Sequence, residues 1–331
     1  MTRAPVSVLD GIGAYLPERV VSNDELAQRL DTSDAWIAER TGIRQRHLAG
    51  PAETAAFMGA AAARAALRDA GAGPGDVDAV ILATSTPDEA FPATALRVQA
   101  ALGIEGGFGF DVSAACSGFV YALSIADAMI GAGQARGALV IGSEVYSRIL
   151  DWADRGTCVL FGDGAGAVFL RPAQAADRDP RADGAARGLL STHLHADGRL
   201  GDILFVDGAV GRPERPGHLR MNGREVFRHA VTKLAAVVDE ALAANGLGRA
   251  DVDWLVPHQA NQRIMDAMGR RLGLPPERVV TTVDRHANTS AASIPLALAE
   301  ACGDGRIQRG DLVLMEALGG GLTWGSALVR L

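Results

Sequence analysis

The chain has 331 residues, 48% of them hydrophobic and 21% charged, which suffices for one large core or two ordinary ones and excludes a disordered chain. A formal net charge of −7 argues against nucleic acid or an anionic membrane as the general partner, so an acidic partner would need a local basic patch. The three cysteines, Cys116, Cys158 and Cys302, lack the spacing of a zinc site or disulfide framework; with no signal-like start and no apolar run long enough for a bilayer, a cytoplasmic setting is expected.

In chain order, residues 6–14 read as a strand, and the capping-box pattern from Ser22 to Glu25 opens a helix through Leu30. A short helix over 33–40 stops at Gly42, and the Ala-rich stretch 53–70 makes a helix ending at Gly71. The near-continuous apolar run VDAVILATST at 77–86 is typical of a strand covered on both faces. A helix over 91–102, a strand over 108–112, a helix over 116–130 and a strand over 138–142 continue an α/β alternation. Strand and turn signals then run to Leu170. Residues 171–217, rich in Pro, Gly, Arg and Asp and without helical period, are expected as loop and hairpin.

The second half repeats the first. Leu67, Gly71 and Gly73 fall on Leu242, Gly246 and Gly248, and Asp76-Val77-Asp78 falls on Asp251-Val252-Asp253. Leu102-Gly103 and Leu272-Gly273, then Gly137, Leu139, Val140 and Gly310, Leu312, Val313, keep the same order at nearly constant spacing. Ordered matches of this kind predict a duplicated βα core, with an N-terminal half over 1–170, an insertion over 171–217 and a C-terminal half over 218–331. Asp111 falls on Asp284, so pseudo-twofold packing would bring Cys116 close to Asn288.

Cys116 follows a strand and opens a helix, where free backbone N–H groups and the helix dipole would lower the thiol pKa. Taken alone, its plainer reading is a small buried hydrophobe. The segment WLVPHQAN sets His258 and Asn261 just past an apolar strand, and DRHANTS sets His286 and Asn288 at a helix start; strand ends of this kind carry sites in α/β proteins. Each histidine is otherwise an ordinary core or surface residue. The three glycines 319–321 allow backbone N–H groups close to a ligand, or simply make a tight turn. GDGAG at 162–166 lacks phosphate-loop spacing and is expected as a glycine turn between strands. His193 and His195 share a strand face without an accompanying ligand set, so no metal is expected.

The segments DVSAACSGFVYALSIAD, FGDGAGA, STHLHADG, WLVPHQAN, DRHANTSAASIP and GGGLTWGSALVR resemble, in order and spacing, those of β-ketoacyl-acyl carrier protein synthase III, the initiating condensing enzyme of bacterial type II fatty acid synthesis. The resemblance runs from about Gly11 to Leu331. It implies the α/β thiolase fold, two similar βα halves in a five-layered αβαβα arrangement. The implied activity joins a short acyl-CoA, acetyl-CoA foremost, to malonyl-acyl carrier protein by decarboxylative Claisen condensation, in a homodimer that uses no metal or cofactor.

On this resemblance Cys116 is the nucleophile, His258 and Asn288 complete a Cys-His-Asn triad, and the N–H groups of Cys116 and Gly320 form an oxyanion hole. Trp36 and Arg155 would flank the coenzyme A adenine, with Arg40 and Asn261 near the rest of the nucleotide and pantetheine. Arg228, Arg263, Arg270 and Arg271 match a basic dock for the carrier protein; a solvated helix face is the plainer reading. Phe91 would reach across from the partner subunit to close the acyl pocket. Leu318 and Leu322 stand where many members have phenylalanine. Rival readings are a starter-unit synthase or acyltransferase of a secondary-metabolite pathway on the same fold, and a noncatalytic acyl-CoA-binding protein.

Overall fold

A computed structural model describes residues 4–179, 185–208, 214–215 and 217–331. The first half begins with β1 (Ser7–Tyr15), then a ribbon of β2 (Val20–Ser22) and β3 (Gln45–His47) enclosing helices α1 (Asn23–Ala27) and α2 (Asp34–Thr41). Ser22 caps α1 by accepting from Glu25 N, and Gly42 ends α2 at φ 81°. There follow α3 (Ala55–Ala70), β4 (Ala79–Ala83), α4 (Thr94–Leu102), β5 (Phe108–Val112), α5 (Gly118–Gly131), β6 (Ala138–Val145) and β7 (Asp163–Pro172). The sheet order is β1-β7-β6-β4-β5, with β4 parallel to β5 and β6, and β7 antiparallel to β6 and β1. Every residue of β4 and β6 is buried, as the apolar runs at 79–83 and 138–142 require.

The second half contains the ribbon β8 (Arg178–Asp179) and β9 (Ala185–Ala186), then β10 (Gly188–Ala196), and the ribbon β11 (Leu204–Val206) and β12 (Leu219–Met221). Helix α6 (Gly223–Asn245), β13 (Trp254–Pro257), α7 (Gln262–Leu272), α8 (Val283–His286), α9 (Ser293–Gly303), β14 (Leu312–Gly319) and β15 (Thr323–Arg330) complete it. The second sheet, β10-β15-β14-β13, repeats the order of the first, and a bridge from Leu255 to Val279 stands where β5 stands there. Helices α3 and α6 end alike, at left-handed Gly71 and Gly246.

Helix α5 packs against strands of both sheets, and α9 lies against β1, β7 and β13, so these two form the central layer. Helices α3 and α4 cover the outer face of the first sheet, and α6 and α7 that of the second. The result is five layers, helix, sheet, helices, sheet, helix.

Three local expectations need correcting. The helix expected from 116 starts at Gly118, and Cys116 lies in a separate 3₁₀ turn, Ala115–Ser117. GDGAG is mostly strand: Gly164 and Gly166 belong to β7, where a Cβ on Gly166 would come within 2.7 Å of Leu296 N and α9 could not lie so close. The stretch expected as loop and hairpin supplies β10, the edge strand of the second sheet. Its polar, half-buried residues hid it among Pro- and Gly-rich flanks. The parts of that expectation at 180–184, 209–213 and 216 lie outside the described residues.

Candidate active site

Two short 3₁₀ turns meet in the middle of the molecule, Ala115–Ser117 ahead of α5 and Ser290–Ala292 ahead of α9. Each begins with a non-glycine residue at positive φ, Ala115 at 44° and Ser290 at 50°. Such backbone costs on the order of 1 kcal/mol per residue and is held only by well-determined surroundings. The duplication therefore places two matched strained turns face to face, one carrying Cys116 and the other preceded by Asn288.

A cavity of about 810 Å³ opens onto these turns. Cys116, His258 and Asn288 all line it, each no more than 6% exposed. Trp36, Arg40, Arg155, Asn261, Leu318 and Gly320 line it as well, so nine of the residues singled out in the sequence share one space. Gly319 fixes how close the glycine turn can come: a Cβ there would sit 2.5 Å from Cys116 N.

The polar groups around the cavity are oriented by their neighbours. Ser290 N–H donates to Asn288 Oδ1 at 2.8 Å, which leaves the Asn288 NH₂ as the end free to donate. His258 Nδ1 is 2.7 Å from Ser293 Oγ, and Ser293 Oγ also accepts from Gln259 N at 3.3 Å. The Ser293 hydroxyl can accept from that amide and give its proton to Nδ1, the tautomer in which the imidazole keeps its own proton on Nε2. Burial holds the His258 pKa down to about 3, so the ring is neutral at pH 7. The site thus has two neutral donors.

The thiol differs from the sequence expectation. Burial pushes the Cys116 pKa up to about 12, against the lowering effect of hydrogen bonds from Ser290, its own backbone N–H and Tyr146. Desolvation dominates because the thiol is buried, and it stands off α5 by a 3₁₀ turn.

At the mouth, the Arg40 guanidinium lies 4.5 Å and that of Arg155 5.2 Å from the Trp36 ring centroid. Arg155 also pairs with Asp31 at 3.1 Å. Asn261 caps α7 by accepting from Arg263 N, and donates to Arg40 O.

The remaining expected residues lie outside the cavity. Phe91 is 85% exposed. On α6 and α7, Arg228 pairs with Glu225, Arg271 pairs with Asp239 at 2.6 Å and Arg263 donates to Glu39 O, while Arg270 is exposed. His195 bonds Glu240 at 2.6 Å, and among the described residues no three His, Cys, Asp or Glu side chains group as a metal site. No described helix is long and apolar enough to cross a membrane.

Sequence reasoning missed Ser293, Ser290, Tyr146 and the buried Glu144, whose carboxylate accepts from Ser85 N and Thr86 Oγ1. Glu144 had a readable signal, a single acid inside the otherwise apolar strand ALVIGSEV. The serines had only their place in NTSAAS, and nothing local marks Tyr146.

Comparison with known proteins places this arrangement in a family. A family model described as 3-oxoacyl-[acyl-carrier-protein (ACP)] synthase III matches residues 110–198, and its C-terminal counterpart matches 242–331. The β-ketoacyl-[acyl-carrier-protein] synthase III of Acidiphilium cryptum is 72% identical over 98% of this chain and 99% of that protein, and that of Granulibacter bethesdensis 67% over the same shares. Among solved structures, 3-oxoacyl-[acyl-carrier-protein] synthase III of Aquifex aeolicus superposes with a TM-score of 0.91 at 46% identity, covering 98% of this chain and all of that one. The priming β-ketosynthase of the R1128 polyketide pathway gives 0.91 at 36% identity, covering 100% of this chain and 98% of that one.

Proposed function

The chain belongs to the 3-oxoacyl-[acyl-carrier-protein] synthase III family, and from that premise we propose that its cavity condenses a short acyl-CoA, acetyl-CoA foremost, with malonyl-acyl carrier protein. The observation that carries the reading is Cys116 in one cavity with two neutral, oriented donors, His258 and Asn288.

The Cys116 sulfur attacks the acyl-CoA thioester, and the developing oxyanion lies between the N–H groups of Cys116 and Gly320. Coenzyme A leaves an acyl-cysteine, which stays electrophilic. Malonyl-acyl carrier protein then loses carbon dioxide, and negative charge gathers on its thioester oxygen. His258 Nε2–H and the Asn288 NH₂ bond that oxygen; neutral donors serve because the charge exists only along the reaction. The carbanion attacks the acyl-cysteine and 3-ketoacyl-acyl carrier protein leaves. Decarboxylation makes the carbon nucleophile, so this step needs no base.

Trp36, Arg155 and Arg40 receive the planar adenine and its phosphates, and Asn261 lies along the pantetheine path. The arginines of α6 and α7, Arg228, Arg263, Arg270 and Arg271, steer the acidic carrier protein against a net charge of −7. The protein acts as a homodimer in which Phe91 of one subunit closes the acyl pocket beside Leu318 of the other; its 85% exposure in the single chain supports this.

The test is a coupled assay with acetyl-CoA and malonyl-acyl carrier protein. Acetoacetyl-acyl carrier protein and carbon dioxide should form together, and acetoacetyl-acyl carrier protein should vanish in Cys116→Ser. Turnover persisting in that variant, or acyl-CoA binding without any product, would overturn the reading.

A further inference from the structure

A buried acid stands at the root of the segment that carries Phe91. Between β4 and α4 the chain runs over residues 84–93, and Phe91 near the end of that arm is 85% exposed in the single chain. Ser85, at its start, lines the cavity together with Cys116. The arm therefore joins the site of one subunit to whatever Phe91 meets.

Glu144, at the end of β6, is fully buried, and its carboxylate accepts from three consecutive residues of the arm. Its Oε2 accepts from Thr84 Oγ1 at 3.2 Å, Ser85 N at 3.0 Å and Thr86 Oγ1 at 2.7 Å, and Oε1 lies 3.1 Å from Ser85 N. The threonines close the network. Thr84 Oγ1 accepts from Thr86 N at 3.0 Å, and Thr86 Oγ1 accepts from Val145 N at 2.8 Å, so the arm and the end of β6 hold each other.

Two further anchors follow along the arm. Asp88 accepts from Ala55 N at 2.8 Å, Ala56 N at 3.1 Å and Thr54 Oγ1 at 2.9 Å, which fastens the arm to the start of α3. Ser143 Oγ donates to Ala55 O at 2.7 Å, so that start is itself tied to β6. Beyond the arm, Asp111 accepts from Thr94 N at 2.7 Å and Ala95 N at 2.8 Å and fixes the first turn of α4. Only residues 89–93 project between these anchors, with Phe91 at their centre. An exposed aromatic ring on so short and firmly held a projection is placed before it meets a partner.

We propose that Glu144 is a positioning residue for the acyl pocket of the opposite subunit: by holding residues 84–86 it sets where Phe91 stands, and so governs the primer length that the other subunit accepts. Each cavity is then shaped in part by an acid buried in the neighbouring chain.

This inference rests on the reading that Phe91 crosses the dimer interface, and the experiment keeps the two apart. Heterodimers are made by co-expressing two differently tagged chains. One is wild type and holds the live Cys116; the other carries Cys116→Ser, either alone or together with Glu144→Gln, Thr86→Val or Phe91→Gly. Glu144→Gln puts an NH₂ group among donors, and Thr86→Val removes the same bond from its half-buried end, so the test stands on whichever chain assembles. Each heterodimer receives equal acetyl-CoA and butyryl-CoA at about pH 8, above the value of about 7 to which burial raises the Glu144 carboxyl, and the acyl group on Cys116 is read by quenched mass spectrometry. Against Cys116→Ser alone, the acetyl-to-butyryl ratio should fall about fivefold with the Glu144→Gln or Thr86→Val arm, the weight of one hydrogen bond, and at least as far with Phe91→Gly. A brace that served only its own chain would leave the ratio in the wild-type chain unmoved. An unchanged ratio with the Glu144→Gln and Thr86→Val arms, while Phe91→Gly lowers it, would overturn the positioning role alone. An unchanged ratio with Phe91→Gly as well would overturn the crossing of Phe91 and the positioning role with it.

Discussion

Asn288 donates into the cavity because Ser290 N–H occupies its oxygen. Asn288→Asp keeps that bond but turns a second oxygen toward the enolate. Carbon dioxide release from malonyl-acyl carrier protein should fall about 10²-fold or more, while Cys116 acylation from acetyl-CoA stays within a few-fold of wild type. Comparing the acylation burst with carbon dioxide release checks this; equal losses in both would contradict it. Ser293 has the parallel role for His258. In Ser293→Ala the imidazole proton is free to move to Nδ1, and kcat should drop about tenfold with little change in KM. Nitrogen NMR should then show a mixed tautomer, and an unchanged Nε2–H signal would contradict the assignment.

At the scale of elements, glycines set the distance between layers. A Cβ at Gly142 on β6 would lie 2.3 Å from Ala291 O, within the turn that carries Ser290. Gly142→Ala should therefore cost about 1–3 kcal/mol in urea unfolding and slow Cys116 acylation as well; a stable and fully active variant would mean the turn can shift. Much at this scale was legible in the sequence because it is local: the cap at Ser22, the left-handed glycines 42, 71 and 246, and the apolar runs of β4 and β6. The repeat was legible too, and the meeting of Cys116 and Asn288 followed from it. Strand β10 was not, since its burial comes from pairing with β15. Nor was the state of the thiol, because desolvation depends on distant segments closing over Cys116.

For the whole molecule, buried ionisable groups set the pH range of stability. His258 and His286, lowered by burial to about 3 and about 4 from 6.5, contribute stability that is full above pH 6.5 and lost as pH falls toward those values. Glu316, raised by burial from 4.5 to about 8 with one oxygen lacking a partner, acts oppositely: its contribution is full below pH 4.5 and lost as pH rises through 8. Between about pH 6.5 and about pH 8 only the carboxyl limb remains, so Tm should fall across that window and Glu316→Gln should flatten the fall. A flat wild-type profile there would contradict this. The proposed homodimer has its own test: in heterodimers of Phe91→Gly and Cys116→Ser chains the one live site lies in the glycine-bearing subunit and should keep the wild-type primer-length preference, because the other subunit supplies Phe91, whereas the preference of Phe91→Gly homodimers appearing there would count against Phe91 crossing the interface.

On this mechanism Cys116 carries the acyl group between the two substrates, which intact-protein mass spectrometry with peptide mapping can read on the protein itself. After incubation with acetyl-CoA, one acetyl group should appear on the peptide containing Cys116. It should disappear on adding malonyl-acyl carrier protein as acetoacetyl-acyl carrier protein forms. An unmodified Cys116, or an adduct that malonyl-acyl carrier protein does not discharge, would contradict the account.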